Sequence, residues 1–449
     1  MLGAAIAGTV LLPGDPGYDD ARRVWNPAID RHPSVIVRCT STSDVAAAVR
    51  FAAASGLVTS VRAGGHSVVG HGVCDDGVMI DLSPMKAVEI DAVARVAHVQ
   101  PGVTWAELDA ASQEHGLATT GADTPSVGVA GSSLGGGLGH LQRLYGLTCD
   151  NLLSAEVVLA DGRVVRAAAD DDEDLFWALC GGGGNFGVVT SFSFALHPVH
   201  MLVGGVVVHT LEHAGDALRL YRELCATAPD ELALMAMFVT APPARSIPAE
   251  LHRRPILILG AAHFGADHDA ERDLDALRTA CPPVRDFIRS MDYLELQKSP
   301  MPAGLQHYGR GEFLRDLDDD LLDGLVEGAA EAVSPFMMIE LNQLGGALSR
   351  VPNGATAFGH RGAAQSLGVH CMWPADEEPA AHVDWVDTLW RGALPSSASG
   401  AYVNQLGEEG PERVRAAYGE DNFRRLAAIK AVYDPTNFFR LNQNVPPAS

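Results

Sequence analysis

The stretch Val61-Arg62-Ala63-Gly64-Gly65-His66-Ser67-Val68-Val69-Gly70-His71-Gly72 governs the reading of the chain. The β-branched run over 57–62 predicts a strand. It ends in two glycines followed at once by a histidine and then by more glycine. Glycine lets backbone amides approach an anion such as a diphosphate, and Arg62 adds positive charge at the same place. His66 then projects beside the bound group from a rigid loop. A neutral imidazole there is a good nucleophile toward an electrophilic ring methyl such as that of a flavin. Taken alone, the segment has a plainer explanation, a histidine in a turn.

Working outward, strands and helices are mixed. Residues 33–38 predict a strand. Residues 43–55 predict an Ala/Val-rich helix with Ser43 as its cap and Asp44 in its first turn. With the strand over 57–62 this makes a crossover unit. Further strands are expected over 78–82, 94–99 and 155–159, a helix over 105–115, and a hairpin at Asp161-Gly162. Composition shifts after Pro198. Strands follow over 202–210, 256–263, 337–344 and 366–373, and helices over 214–226, 267–279 and the acidic stretch 311–332. The tail from Ala401 predicts a strand, a helix over 412–432 and an extended end. This divides the chain into 1–201, 202–398 and 399–449. The apolar start, 2–12, lacks a basic segment and a clean cleavage site and is too short to span a bilayer, so it predicts a small helix.

Of the 449 residues 47% are hydrophobic and 20% charged, which excludes a disordered chain. Lys+Arg 32 against Asp+Glu 56 gives a net charge of -24, which repels nucleic acid and anionic lipid, so neither nucleic acid nor membrane is an expected partner. The 47 glycines cluster at 64–77, 128–139 and 181–187. The seven cysteines are odd in number and include no CxxC, which fits reduced thiols in a cytoplasmic protein. No metal site is expected. His66 and His71 lack a partner set, and adjacent His370 and Cys371 point to opposite faces of a strand.

Two motifs invite other readings. Gly182-Gly-Gly184-Asn-Phe-Gly187 matches GxGxxG, but a helical stretch precedes it and a strand follows, the reverse of a Rossmann site. It reads as a tight helix-to-strand turn, with ligand contact left open. Gly131-Ser132-Ser133-Leu134-Gly135 matches the GxSxG nucleophile elbow, with 127–130 as its strand and Ser133 as nucleophile, yet the glycine-rich segment behind it is a poor helix.

Several runs together, in order along nearly the whole chain, carry a resemblance. They are Arg62-Ala-Gly-Gly-His66-Ser with Gly77-Val-Met-Ile-Asp-Leu-Ser-Pro-Met85, Thr124-Pro-Ser-Val-Gly-Val-Ala-Gly131-Ser-Ser-Leu-Gly-Gly-Gly137, Tyr145-Gly-Leu-Thr-Cys-Asp-Asn151, Phe176 to Gly187, Tyr402-Val-Asn404, and Tyr433 to Asn444. This pattern resembles the berberine-bridge-enzyme-like FAD-linked oxidases. The resemblance implies an α+β fold of the vanillyl-alcohol-oxidase type. In it, a two-part PCMH-type FAD-binding domain, 1–201 with the returning tail 399–449, accompanies an α+β substrate domain, 202–398, with an antiparallel sheet.

FAD is the implied cofactor. By the same resemblance His66 matches the histidine bonded to the flavin 8α-methyl. Arg62, Gly64, Gly65 and Ser67 match the diphosphate loop, with Ala63, Gly70 and His71 beside them. Gly128, Gly131, Ser132, Gly137, Asn151, Gly187 and Val189 are further expected cofactor contacts. Tyr402, Asn404 and Asn442 match tail positions close to the ring system. Thr124 stands where many relatives have a cysteine that makes a second bond to the flavin, so one covalent link, through His66 only, is expected. Val127 matches a position where valine accompanies reactivity with oxygen.

Gln405 stands where several relatives place a catalytic tyrosine, and a neutral amide cannot take the proton. Strand alternation puts Met338, Glu340, Asn342 and Leu344 on one face. Glu340, Asn342 and Tyr402 are the catalytic candidates, with His360, Arg361, His370, Tyr293 and Tyr308 as further options. The implied activity is oxidation of a small alcohol or sugar hydroxyl, as on a natural-product or antibiotic intermediate, with O2 as electron acceptor. The rival readings are a flavin-retaining cyclase or isomerase, a serine hydrolase using Ser133, and a non-catalytic binding protein.

Overall fold

Val35–Arg38, Thr59–Arg62 and Val78–Asp81 are short strands rich in β-branched residues, and the helix Thr42–Ser55 carries the chain from the first to the second. Both flank Val78–Asp81 and run parallel to it, so the expected crossover is present. The computed structural model describes residues 3, 5–298, 302 and 304–448. Within the N-terminal range 2–12, Leu2 and Ala4 lie outside the described residues, and Thr9–Leu11 is a strand rather than part of a helix. It pairs antiparallel with Val35–Arg38, because a free sheet edge offers ladder bonds that so short an isolated helix cannot match. The helix cap is Ser41, not Ser43, and its hydroxyl accepts from the Asp44 N–H at 3.2 Å. Asp44 instead reaches back to the amides of Ala7 and Gly8.

A second, antiparallel sheet is ordered Val88–Asp91, Val96–Val99, Val188–Ala195, Leu152–Val158, Val164–Ala168. The last two strands form the hairpin expected at Asp161-Gly162. The segment 127–130 is not a strand: Val129–Leu134 is a short helix that buries Val129 and Leu134 in the core under this sheet.

The middle of the chain builds an antiparallel sheet of eight strands among the described residues. Leu232–Thr240 was not foreseen, because its Leu, Ala and Met residues favour helix locally. Its strict alternation decides otherwise. Leu232, Leu234, Ala236 and Phe238 enter the core, and Ala233, Met235 and Met237 face the opposite side. The acidic stretch 311–332 is likewise not one helix. Gln306–Leu314 is an edge strand paired with Gln365–Trp373, and the helix begins at Asp319. Helices Ala214–Thr227, Asp267–Thr279, Asp319–Ala330 and Ala380–Ala393 cover one face of the sheet. The other face looks onto the N-terminal sheets and the tail.

The tail has a 3-10 turn, Val403–Gln405, where a strand was expected, and two helices, Pro411–Tyr418 and Glu420–Tyr433, where one was expected. Gly419, at φ 78, breaks the helix. Ion pairs fasten the tail to the eight-stranded sheet: Glu409 takes Arg310 at 2.7 Å and Arg413 at 3.1 Å, and Arg413 reaches the fully buried Glu312 at 3.0 Å. Lys430, fully buried with Asp434 at 2.7 Å, also donates to the carbonyls of Asn185 and Phe439. All seven cysteines are free. No helix among the described residues is long and apolar enough to cross a membrane.

Asp109 gives a pH test of this packing. It lies on the helix Trp105–Gln113 and accepts from Gln297 Nε2 at 3.0 Å, while burial pushes its carboxyl up to about 7. An acid whose folded pKa is raised binds its proton more tightly folded than unfolded. Its stabilising share is therefore complete below the unfolded value near 4 and is lost as pH rises to about 7. Asp109→Asn should raise the melting temperature at pH 8 relative to the parent and bring little or no gain at pH 4. Thermal unfolding at the two pH values checks this.

Candidate functional site

A cleft of about 1580 Å³ is lined by the loops of the N-terminal sheets, the tail and the open face of the eight-stranded sheet. Its first wall is the loop after Thr59–Arg62, with Arg62, Ala63, Gly64, Gly65, His66, Ser67 and His71 along it. Arg62 is held by Asp81 at 3.2 Å, and its Nε is buried without a partner. His66 stacks on Trp25 with ring centroids 5.3 Å apart, and burial pushes its pKa down to about 4, so the imidazole is neutral at neutral pH. His71 is likewise pushed down to about 4 by burial and by the nearby charge of Arg31.

The second wall is the loop carrying Thr124, Val127, Gly128, Gly131 and Ser132. The two loops touch through glycines. A Cβ on Gly64 would fall 2.5 Å from the Gly128 nitrogen, and one on Gly128 would fall 2.7 Å from the Gly64 Cα. The third wall is the turn Gly183 to Gly187 with Val189, crossed by the tail, where Asn442 donates to the Gly184 carbonyl at 3.1 Å. Gly131 and Gly184 both line the cleft, and a Cβ on either would meet nothing within 4 Å, so their missing side chains leave room for a ligand. The Asn442 Oδ1 is another buried polar atom without a partner. Glycine-edged walls with unmatched polar atoms fit a long, polar-backboned cofactor.

The fourth wall is the sheet. Glu340 and Asn342 do face the cleft. Glu340 Oε1 accepts from Gln405 Nε2 at 3.2 Å and stands 3.6 Å from His370 Nε2. His370 Nδ1 lies 3.2 Å from His307 Nε2. His307 in turn packs edge-on against Trp25, at 5.1 Å, and burial with the neighbouring His370 pushes it down to about 3. The row needs bare backbone beneath it. A Cβ on Gly368 would fall 2.6 Å from His370 and 2.7 Å from Glu340, and one on Gly309 would fall 2.3 Å from His370. Opposite stands Asp123, whose pKa is raised by burial and by the Glu340 charge.

Some expected residues stand elsewhere. Gly70, Gly137 and Asn151 lie behind the cleft wall. Gly70 turns against Ile29, Gly137 donates to the Tyr402 hydroxyl at 3.0 Å, and Asn151 bonds His197 at 2.6 Å. Tyr402 lines the cleft, but its hydroxyl accepts from Gly137 and Asn404 and burial pushes it up to about 12, so it braces the turn rather than taking protons. Asn404 also donates to the Ser132 carbonyl at 3.1 Å. Ser133 is buried and donates to the Val129 carbonyl at 2.7 Å, with no imidazole bonded to it, which removes the hydrolase reading. Arg361 pairs with Asp150 at 2.6 Å, His360 bonds the Ala416 carbonyl at 2.7 Å, Tyr308 bonds Asp387 at 2.9 Å, and Tyr293 is buried; none of these lines the cleft. Trp25 and His307 were not anticipated. His307 carries a faint signal, alternation in 306–314, whereas Trp25 carries none.

Residues 33–168 match the family described as FAD binding domain, and 401–446 the family described as Berberine and berberine like. The chain is 32% identical over 459 residues to (R)-6-hydroxynicotine oxidase of Paenarthrobacter nicotinovorans, covering 99% of this chain and 97% of that protein. The crystal structure of the 6-hydroxy-D-nicotine oxidase from Arthrobacter nicotinovorans superposes with a TM-score of 0.88 at 28% identity, covering 99% of this chain and 98% of that one. A xylooligosaccharide oxidase from Myceliophthora thermophila, solved with xylobiose, shares the fold with a TM-score of 0.88 at 23% identity, over 100% of this chain and 98% of that one.

The contrast between glycines gives a test. Gly64→Ala forces the two loops apart and should lower stability by roughly 1–3 kcal/mol and lower the FAD content of the purified protein. Gly131→Ala sits in a helix with open space before it. It should leave the melting temperature of FAD-free protein unchanged or slightly raised, while FAD content falls. Calorimetry and flavin absorbance per polypeptide measure both effects.

Proposed function

We propose that this chain, which belongs to the berberine-bridge-like family of FAD-linked oxidoreductases, is an oxidase of a small organic substrate carrying a hydroxyl or amine. Residues 1–201 and 399–449 form the cofactor half in this reading, and 202–398 the substrate half. When bound, FAD supplies the redox chemistry, accepting a hydride at N5 and passing electrons to O2 to give H2O2. The observation that carries the reading is the facing of His66 and Glu340 across one cleft, joined by Trp25, His307 and His370 in continuous contact.

His66 would be the single point of covalent attachment. Its depressed pKa keeps the imidazole neutral, the form in which it could bond a flavin methyl, and Thr124, whose hydroxyl reaches only Asp123 at 3.4 Å, offers no thiol for a second bond. The Arg62 loop would hold the diphosphate, and Asn442, Asn404 and Val127 line the cleft where the ring system would lie. Glu340 takes the proton from the substrate's hydroxyl or amine. Gln405 fixes one carboxylate oxygen by its N–H, which replaces a base at that position with an orienting donor. His370 keeps a hydrogen-bonding ring beside the same oxygen. His307 and His370 are buried and Glu340 is half-buried, which favours passage of the substrate's proton to Glu340 over solvent.

Three outcomes are expected. Acid-precipitated protein retains yellow, fluorescent flavin in the pellet. His66→Ala releases the flavin to the supernatant, and Thr124→Ala does not. Glu340→Gln keeps its flavin but slows anaerobic bleaching by a turned-over alcohol or amine by about 10²–10⁴-fold. Turnover without peroxide would instead mark ring closure or isomerisation.

A further inference from the structure

The cleft face of the eight-stranded sheet changes chemistry from one strand to the next. On Leu232–Thr240 it presents Met235, Met237 and Val239. The neighbour on one side, Pro255–His263, sets Ile258 opposite Met237 and Gly260 opposite Met235. A Cβ on Gly260 would fall 2.6 Å from Met235 Cγ and 3.0 Å from its Sδ, so the thioether lies flat across bare backbone. The neighbour on the other side sets Glu340 opposite Met237, Asn342 opposite Met235 and Met338 opposite Val239. One strand spacing, about 4.8 Å, therefore separates a hydrocarbon and thioether wall from the carboxylate. The charged groups at the edge of the apolar half are Arg289 and Glu295, which pair with each other, and Arg253, which is exposed.

We propose that the substrate is an amphiphile, with one hydroxyl or amine on an alkyl or aryl body that bears no further polar groups, and is not a carbohydrate. This rests on the oxidase reading above. The polar group meets Glu340 and the body lies on Met235, Met237 and Ile258. A sugar carries a hydroxyl on almost every carbon. Each one pressed unpaired against thioethers lowers affinity by roughly tenfold. Each methylene buried on the same wall raises it by about fourfold. Methionine side chains are flexible and polarizable, so the wall accepts bodies of differing shape but not of differing polarity.

The test is isothermal titration calorimetry of the flavin-loaded protein with butanamide, hexanamide and octanamide, and with cellobiose. The amides offer Glu340 an N–H donor and are not expected to be oxidised, so binding is read without turnover or reoxidation. A protein that lacks flavin, or whose flavin air does not reoxidise, would count against the oxidase reading alone. Kd should fall about sixteenfold for each added pair of methylenes, and cellobiose should give no binding heat at a hundred times the octanamide Kd. A flat series, or cellobiose binding more tightly than hexanamide, overturns the proposal on the parent protein alone. M235Q/M237Q, with flavin absorbance retained, should cut the step per methylene to twofold or less; an unchanged step overturns the assignment of this wall.

Discussion

Two backbone segments meet without side chains at Gly64 and Gly128, and the functional geometry follows from that contact. One loop leaves the four-stranded sheet and the other leads into the helix Val129–Leu134 under the five-stranded sheet. Nitrogen and Cα atoms approach so closely that any Cβ at either position would overlap the other chain. The approach sets His66 and Thr124 on one cleft, although they are 58 positions apart in the sequence. The same device recurs on the far wall, where Gly309 and Gly368 leave the sheet bare so that His370 and Glu340 lie flat upon it.

Desolvation is the second constraint. The imidazoles of His66, His71 and His307 are pushed well below the ordinary histidine value chiefly by burial, so these three rings are uncharged at neutral pH. A partly desolvated lining strengthens each remaining polar contact, above all those of Glu340. The tail closes this environment. It is held by charge as well as by packing, through Lys430 with Asp434 under the Gly183–Asn185 turn and through Glu409 with Arg310 and Arg413 at the sheet. A tail so fastened brings Asn404, Gln405 and Asn442 to the cleft as fixed groups.

The glycine loop at His66, the second glycine loop and the glycine turn were legible because each is a local pattern: glycine where backbone must come close, next to a strand or helix end. Glu340 and Asn342 were legible because alternation on a strand assigns faces without knowledge of the neighbours. The fold class followed from the same signals joined to a family resemblance. Where expectation failed, local preference and tertiary setting disagreed. Leu232–Thr240 is composed of helix formers yet is a central strand, because its alternate residues fill a core built by helices far along the chain. Residues 311–314 belong to a strand because Glu312 finds Arg413 and Ser397 there. Tyr402 looked like a proton acceptor, and two donors make it a brace.

By itself the amino-acid order determined which glycine-rich segments line the cleft and that Glu340 and Asn342 share one strand face. Those properties depend on residue type and on periods of two or 3.6, which any short window contains. Only the tertiary structure decided that Trp25 stacks on His66, that His307 and His370 share a hydrogen bond, and that Gln405 orients Glu340. Such contacts join residues from separate sheets and from the returning tail. Their energy comes from burial and from close approach in space, quantities that no window of sequence holds.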